Sequence, residues 1–179
     1  MLSEEQTLLV VVDVQGRLAR IVHESETLIG NLEKLIQGVQ LLEIPIIWVE
    51  QYPEGLGSTV EEVAQYLTGL KPIRKVSFDA CRNETFIQAV KATGRRQLLI
   101  AGIETHICVY QTSVGLKALG YEVQVLTDAV SSRTLANKEI GLEKMKSAGI
   151  AWTSIETALF ELMKTAESDR FKQMIKLLK

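Results

Sequence analysis

The chain has 179 residues, 46% apolar and 23% charged, with a formal charge of -2 and a pI near 5.8; that size and balance suit one globular domain, residues 1–179, with a substantial core. Its 20 basic residues are spread along the sequence, so there is no basic stripe for nucleic acid, and small metabolites are the expected partners. No apolar run approaches the roughly 18 residues of a membrane span, the leader MLSEEQ is polar, and Cys81 and Cys108 form no metal or disulfide framework, which together point to a cytoplasmic protein with reduced thiols.

Thr7 to Val12 (TLLVVV) is a uniformly apolar, β-rich run that reads as a central strand delivering Asp13 at its carboxyl end. Asp13 there is equally a turn former or a candidate acid. Gly16 to Gly30 reads as a loop or partly helical excursion carrying His23. Leu32, Leu35, Ile36, Val39 and Leu42 then recur at helical spacing behind Asn31 as cap, and Ile44 to Glu50 follows as a second strand. The stretch from Glu50 to Val63 opens with turn chemistry at Pro53, Gly55 and Gly57 and starts a helix with Ser58 or Thr59 as cap.

Lys71 to Ser77 is short and less apolar, an edge strand presenting Lys75 either as a solvated gatekeeper or as a cation at the same rim. Asn83 to Thr93 is a helix capped by Asn83. Tyr121 to Leu126 is a fifth strand, followed by a loop with Ser131, Ser132 and Arg133. Leu135 to Ala148 is a helix, Ile150 to Thr153 a sixth strand, and Ser154 to Lys164 and Asp169 to Leu178 closing helices. Six strands alternating with helices predict a three-layer α/β/α, doubly wound domain on a mostly parallel sheet.

Residues 96–112 (RQLLIAGIETHICVYQT) organise this pattern: an apolar run ends at Gly102, and a helix starts near Thr105 and closes at Gly120. Cys108 falls in its opening turn, where free N–H groups and the helix dipole favour thiolate. A lone cysteine in an apolar stretch is also ordinary core packing. Only Cys108, not Cys81, combines a helix start with a nearby Lys75, so it is the thiol expected to alkylate fast. Strand ends thus gather Asp13, Lys75 and Cys108, a nucleophile, base and cation set.

VVDVQ at 11–15, KVSF at 75–78 and GIETHICVYQT at 102–112 resemble the isochorismatase-like cysteine hydrolases over nearly the whole chain. The resemblance implies a triad of Asp13, Lys75 and Cys108, a cis peptide bond at Ile103-Glu104, and an oxyanion hole from the Glu104 and Cys108 amides. EQYPEGLG at 50–57 and DAVSSR at 128–133 further resemble the isochorismatase-domain-containing subgroup.

Metal-binding nicotinamidases of that superfamily carry an Asp-x-His motif after the second strand, whereas this chain has Glu50, Gln51 and Tyr52 and only His23 and His106. Neither a metal nor another cofactor is expected, and Asp13 is the candidate base. The implied activity is hydrolysis of a carbon–nitrogen bond in a small amide or carbamoyl compound, by a homo-oligomer, with Gln15, Leu18, Trp48, Gln51 and Tyr52 around the substrate. The rival readings are a non-enzymatic redox-sensitive or scaffold protein and an ether hydrolase of the isochorismatase type, which needs no cysteine.

Overall fold

A computed structural model describes residues 1–179. Strands β1 (Thr7–Val12), β2 (Ile46–Gln51), β3 (Ile73–Lys75), β4 (Gln97–Ile103), β5 (Glu122–Ser131) and β6 (Ala151–Thr153) form one sheet in the order β3-β2-β1-β4-β5-β6. Every neighbouring pair is parallel. The helices are α1 (Gly16–Ile21), α2 (Ser25–Leu41), α3 (Pro53–Leu56), α4 (Glu61–Ala64), α5 (Glu84–Ala92), α6 (Tyr110–Ala118), α7 (Leu135–Ser147), α8 (Ile155–Met163) and α9 (Asp169–Leu178), and a π-helical turn spans Thr105–Val109.

Strand alternation explains the layers. On β1, Leu9 and Val11 join Leu35, Ile36 and Val39 of α2 and Leu159 and Leu162 of α8 in one core. Leu8, Val10 and Val12 face the other way and pack with Phe86 and Val90 of α5, Leu116 of α6 and Met145 of α7. A strand buried on both faces has no polar alternation, which is why TLLVVV is apolar at almost every position. The winding reverses between β1 and β4: β2 and β3 extend the sheet to one side of β1, and β4, β5 and β6 to the other. Ligands bind outside the carboxyl ends of strands at such a reversal.

Three local expectations give way to tertiary contacts. The helix read from Asn31 begins at Ser25, because Leu28 and Ile29 extend its buried stripe, and the Asn31 amide inside it donates to the Asp128 carbonyl at 2.8 Å. Thr59 does not cap a helix; its N–H and hydroxyl both bond Glu50 Oε1, at 2.7 and 2.8 Å. Strand β5 runs on to Ser131, bulging so that Val130 and Ser131 pair with Gly102 and Ile103. The Asn83 cap is present, accepting from the Phe86 N–H at 3.0 Å.

Gly102 sits where β1 and β4 touch most closely. Its φ is +119°, and a Cβ there would run into the Val12 carbonyl oxygen. Gly102→Ala should therefore destabilise the fold by on the order of 1–3 kcal/mol from backbone conformation alone, with steric overlap adding to that. Urea unfolding measures it, and an unchanged midpoint would show that the strands do not meet there.

Candidate active site

Asp13 follows β1 directly. Its backbone is left-handed, φ 52°, a conformation Asp tolerates better than most residues, and it turns the carboxylate into the gap between β1 and β4. Parallel pairing brings Lys75 from the edge: it lies opposite Gln51 in the β3–β2 register. The ammonium donates to Asp13 Oδ2 at 2.7 Å, Gln51 Oε1 at 2.8 Å and the Ser77 carbonyl at 3.3 Å. Three acceptors match its three N–H donors. Both side chains are buried, at 0% exposure for Lys75 and 3% for Asp13, while Asp13 Oδ1 has no hydrogen-bond partner.

Cys108 is the fourth residue of the π-helical turn after β4 and is also buried. Helix α7 presses on this turn so closely that a Cβ at Gly141 would meet His106 N and the Thr105 carbonyl carbon, both at 2.7 Å. The Ile103-Glu104 peptide bond is cis. Glu104 Oε1 accepts from the Arg133 backbone N–H at 3.1 Å and from its Nε–H at 3.0 Å.

A cavity of about 90 Å3 lies beside these groups, and six of its nine wall residues are hydrophobic. Asp13, Cys108, Glu104, Gln51 and Leu18 line it, together with Ile103, Leu56, Phe78 and Ile107. A larger cavity of about 230 Å3 beside His23, Asn31 and Lys138 shares no wall residue with it. The smaller one is the candidate because the acid and the thiol share its wall, with Lys75 bonded to that acid.

Burial pushes the Asp13 carboxyl above its ordinary 3.8, against the pull of Lys75. Burial first and the Asp13 charge second push the Cys108 thiol from 9.0 up to about 12, with Lys75 opposing. The expectation of a resting thiolate is corrected accordingly. Lys75 spends its donors on the carboxylate and its neighbours, and Cys108 is buried, so the surroundings favour the protonated thiol. Cys81 is shifted upward as well, by burial and by Asp79.

Of the five residues expected around the substrate, Leu18 and Gln51 line the cavity. Gln15 is fully buried behind it; it accepts from the Gln51 N–H at 2.6 Å and donates to the Gln51 and Gly57 carbonyls at 3.0 and 2.6 Å. Trp48 is corrected: strand alternation turns it to the α2 side, against the core there. Tyr52 is also outside, on a shallow depression with Pro53, Arg74 and Val76. Leu56, Phe78 and Ile107 were not anticipated. The available signal was a large apolar residue, Leu56 or Phe78, in each of the short segments that follow β2 and β3. No three His, Cys, Asp or Glu side chains converge as a metal site would require, and no helix is long and apolar enough to cross a membrane.

Fold and site define a three-layer α/β protein with its candidate chemistry at the β1/β4 reversal. Residues 7–157 match the Isochorismatase domain family. The chain is 34% identical to Isochorismatase family protein 1A of Dictyostelium discoideum, over 98% of its own length and 87% of that protein's. It belongs to the isochorismatase family, whose members are hydrolases. Two solved structures superpose closely. One is the MAR1 ribonuclease of Caenorhabditis elegans, with a TM-score of 0.92, 31% identity and coverage of 99% of this chain and 91% of that one. The other is YcaC of Escherichia coli, described as an octameric hydrolase of unknown specificity, with a TM-score of 0.93, 25% identity and coverage of 98% and 89%.

Removing one partner of a buried ion pair strands the other. Lys75→Met should cost about 3–5 kcal/mol of stability at neutral pH, and the double variant Lys75→Met/Asp13→Asn should recover most of that. Chemical denaturation checks both. A loss below about 1 kcal/mol, as for an exposed pair, would contradict the geometry.

Proposed function

We propose that this family member hydrolyses the carbon–nitrogen bond of a small amide or carbamoyl compound through a covalent Cys108 intermediate. One observation carries the reading: Lys75 holds one oxygen of Asp13, while the other, Oδ1, has no other group hydrogen-bonded to it and Asp13 lies close enough to Cys108, in the same cavity wall, for each to shift the other's proton affinity. A carboxylate so held is a base with its free lone pairs beside a thiol.

Asp13 takes the Cys108 proton as sulfur attacks the carbonyl carbon. The C–S bond forms, and the carbonyl electron pair moves to oxygen, where the Glu104 and Cys108 amides serve as donors. Collapse breaks the C–N bond as Asp13 returns the proton to nitrogen, releasing ammonia or an amine. Asp13 next deprotonates water, which attacks the thioester. Collapse breaks the C–S bond, the acid leaves, and Asp13 gives the proton it took from water to the sulfur, restoring thiol and carboxylate. Lys75 orients Asp13 and offsets its charge, and the upward shift of Asp13 brings its basicity nearer to what a neutral-pH base needs.

No metal or other cofactor enters this cycle. A phosphodiester finds no cation in the cavity wall, which supports an amide over the ribonuclease chemistry named for the worm relative. The octamer of YcaC supports a homo-oligomer, and the two free cysteines suit a reducing cytoplasm.

A screen of small amides followed by intact-mass analysis tests the reading. A hit should leave an acyl mass on Cys108. Cys108→Ala should fall to background, and Asp13→Asn should lose roughly 100- to 10,000-fold in kcat. Turnover should survive dialysis against a chelator. Activity retained in Cys108→Ala would favour ether hydrolysis instead. Because Asp13 must be ionised to act, and its pKa is raised, kcat/KM should fall with decreasing pH through a value above the ordinary 3.8. An acid limb at or below that value would contradict the assignment of the base.

A further inference from the structure

We propose that the group entering the Cys108 cavity is short, uncharged and apolar, and that compounds carrying a carboxylate on their acyl part are rejected. The inference rests on the cysteine-hydrolase reading and narrows its substrate class. Three observations carry it, the first being space. The cavity beside the thiol is small, about 90 Å3, which favours a short acyl group over a bulky one.

The second is the wall. Leu18, Leu56, Phe78, Ile103 and Ile107 offer a carboxylate no donor, Gln51 already donates its Nε2–H to the Val76 carbonyl at 2.7 Å, and the two charged wall residues, Asp13 and Glu104, are both acids. No Lys, Arg or His lines the cavity. The third is the cation nearest the reacting atoms. Lys75 is fully engaged by Asp13, Gln51 and the Ser77 carbonyl, and with three N–H groups it has none left for a substrate anion. Arg133 is bound to Glu104 and is 53% exposed, so it balances a wall charge from outside. An anion entering here would lose its water and find no free cation, because Lys75 and Arg133 are already paired with the two wall acids.

The test compares two electrophiles of nearly equal size, neutral iodoacetamide and anionic iodoacetate, at neutral pH. Alkylation rates at Cys108 are read by peptide mass spectrometry and normalised to 2-mercaptoethanol, which supplies the intrinsic reactivity ratio. Cys108 should prefer iodoacetamide by at least about tenfold more than the free thiol does. Phe78→Lys places a cation in the wall at a residue 54% exposed, and should bring the ratio back toward that of the free thiol; Leu56→Lys, at 39% exposure, serves as a second variant. A wild-type ratio equal to that of 2-mercaptoethanol would overturn the charge selectivity and leave the nucleophile in place. Failure of both reagents to label Cys108 in the folded protein would overturn the nucleophile reading, and this inference with it.

Discussion

The ion pair between Lys75 and Asp13 is the constraint on which the site depends. Two charges withdrawn from water repel the fold unless their lone pairs and protons are matched, and here they are matched almost completely. The ammonium reaches three acceptors across two strands. That reach requires β3 to lie parallel to β2 with Lys75 opposite Gln51, and Gln51 in turn to be held by Gln15 from the far side. The one atom of the pair left without a partner, Asp13 Oδ1, lies in the same cavity wall as Cys108, and the proposed mechanism uses its open lone pair to take the thiol proton.

The remaining architecture brings that thiol into place. Reversal of the winding leaves a gap between the carboxyl ends of β1 and β4, and the chain leaves β4 through a π-helical turn rather than a regular helical one. Such turns occur often at functional sites because they redirect one side chain without ending the helix. Close packing of Gly141 against His106 holds the turn down. The chain just after Leu56 is tied down twice, by Gln15 at Gly57 and by Glu50 at Thr59. A site pinned in this way by backbone and buried polar bonds needs little reorganisation when charge moves within it.

Much of the framework was legible in the sequence because burial on both faces leaves a direct trace. Strand β1 ends where TLLVVV ends, at Val12, and β4 spans the apolar run leading to Gly102 and Ile103. Asp13, Lys75 and Cys108 could be named because strand ends and a helix start locate side chains without any knowledge of their partners. What escaped depends on tertiary partners. The bond from Asn31 to Asp128 and that from Thr59 to Glu50 divert two residues whose local preference is to cap helices. Trp48 and Leu56 show the same limit in the cavity: the aromatic residue belongs to the core by strand alternation, while the wall residue comes from a loop whose path follows from Gln15 and Glu50. The helix start suggests a thiolate at Cys108, whereas burial and the neighbouring carboxylate push its pKa upward, and both of those depend on tertiary partners.

The central claim is that Asp13, and not the helix terminus, makes the Cys108 sulfur reactive. The most direct measurement is the pH dependence of the Cys108 alkylation rate by iodoacetamide, in the wild type and in Asp13→Asn. With Asp13 as base, the wild-type rate should rise as the carboxyl ionises and level off by neutral pH, far below the thiol's own range. In Asp13→Asn it should stay low at neutral pH and rise only under alkaline conditions. Superimposable profiles for the two proteins would contradict the account.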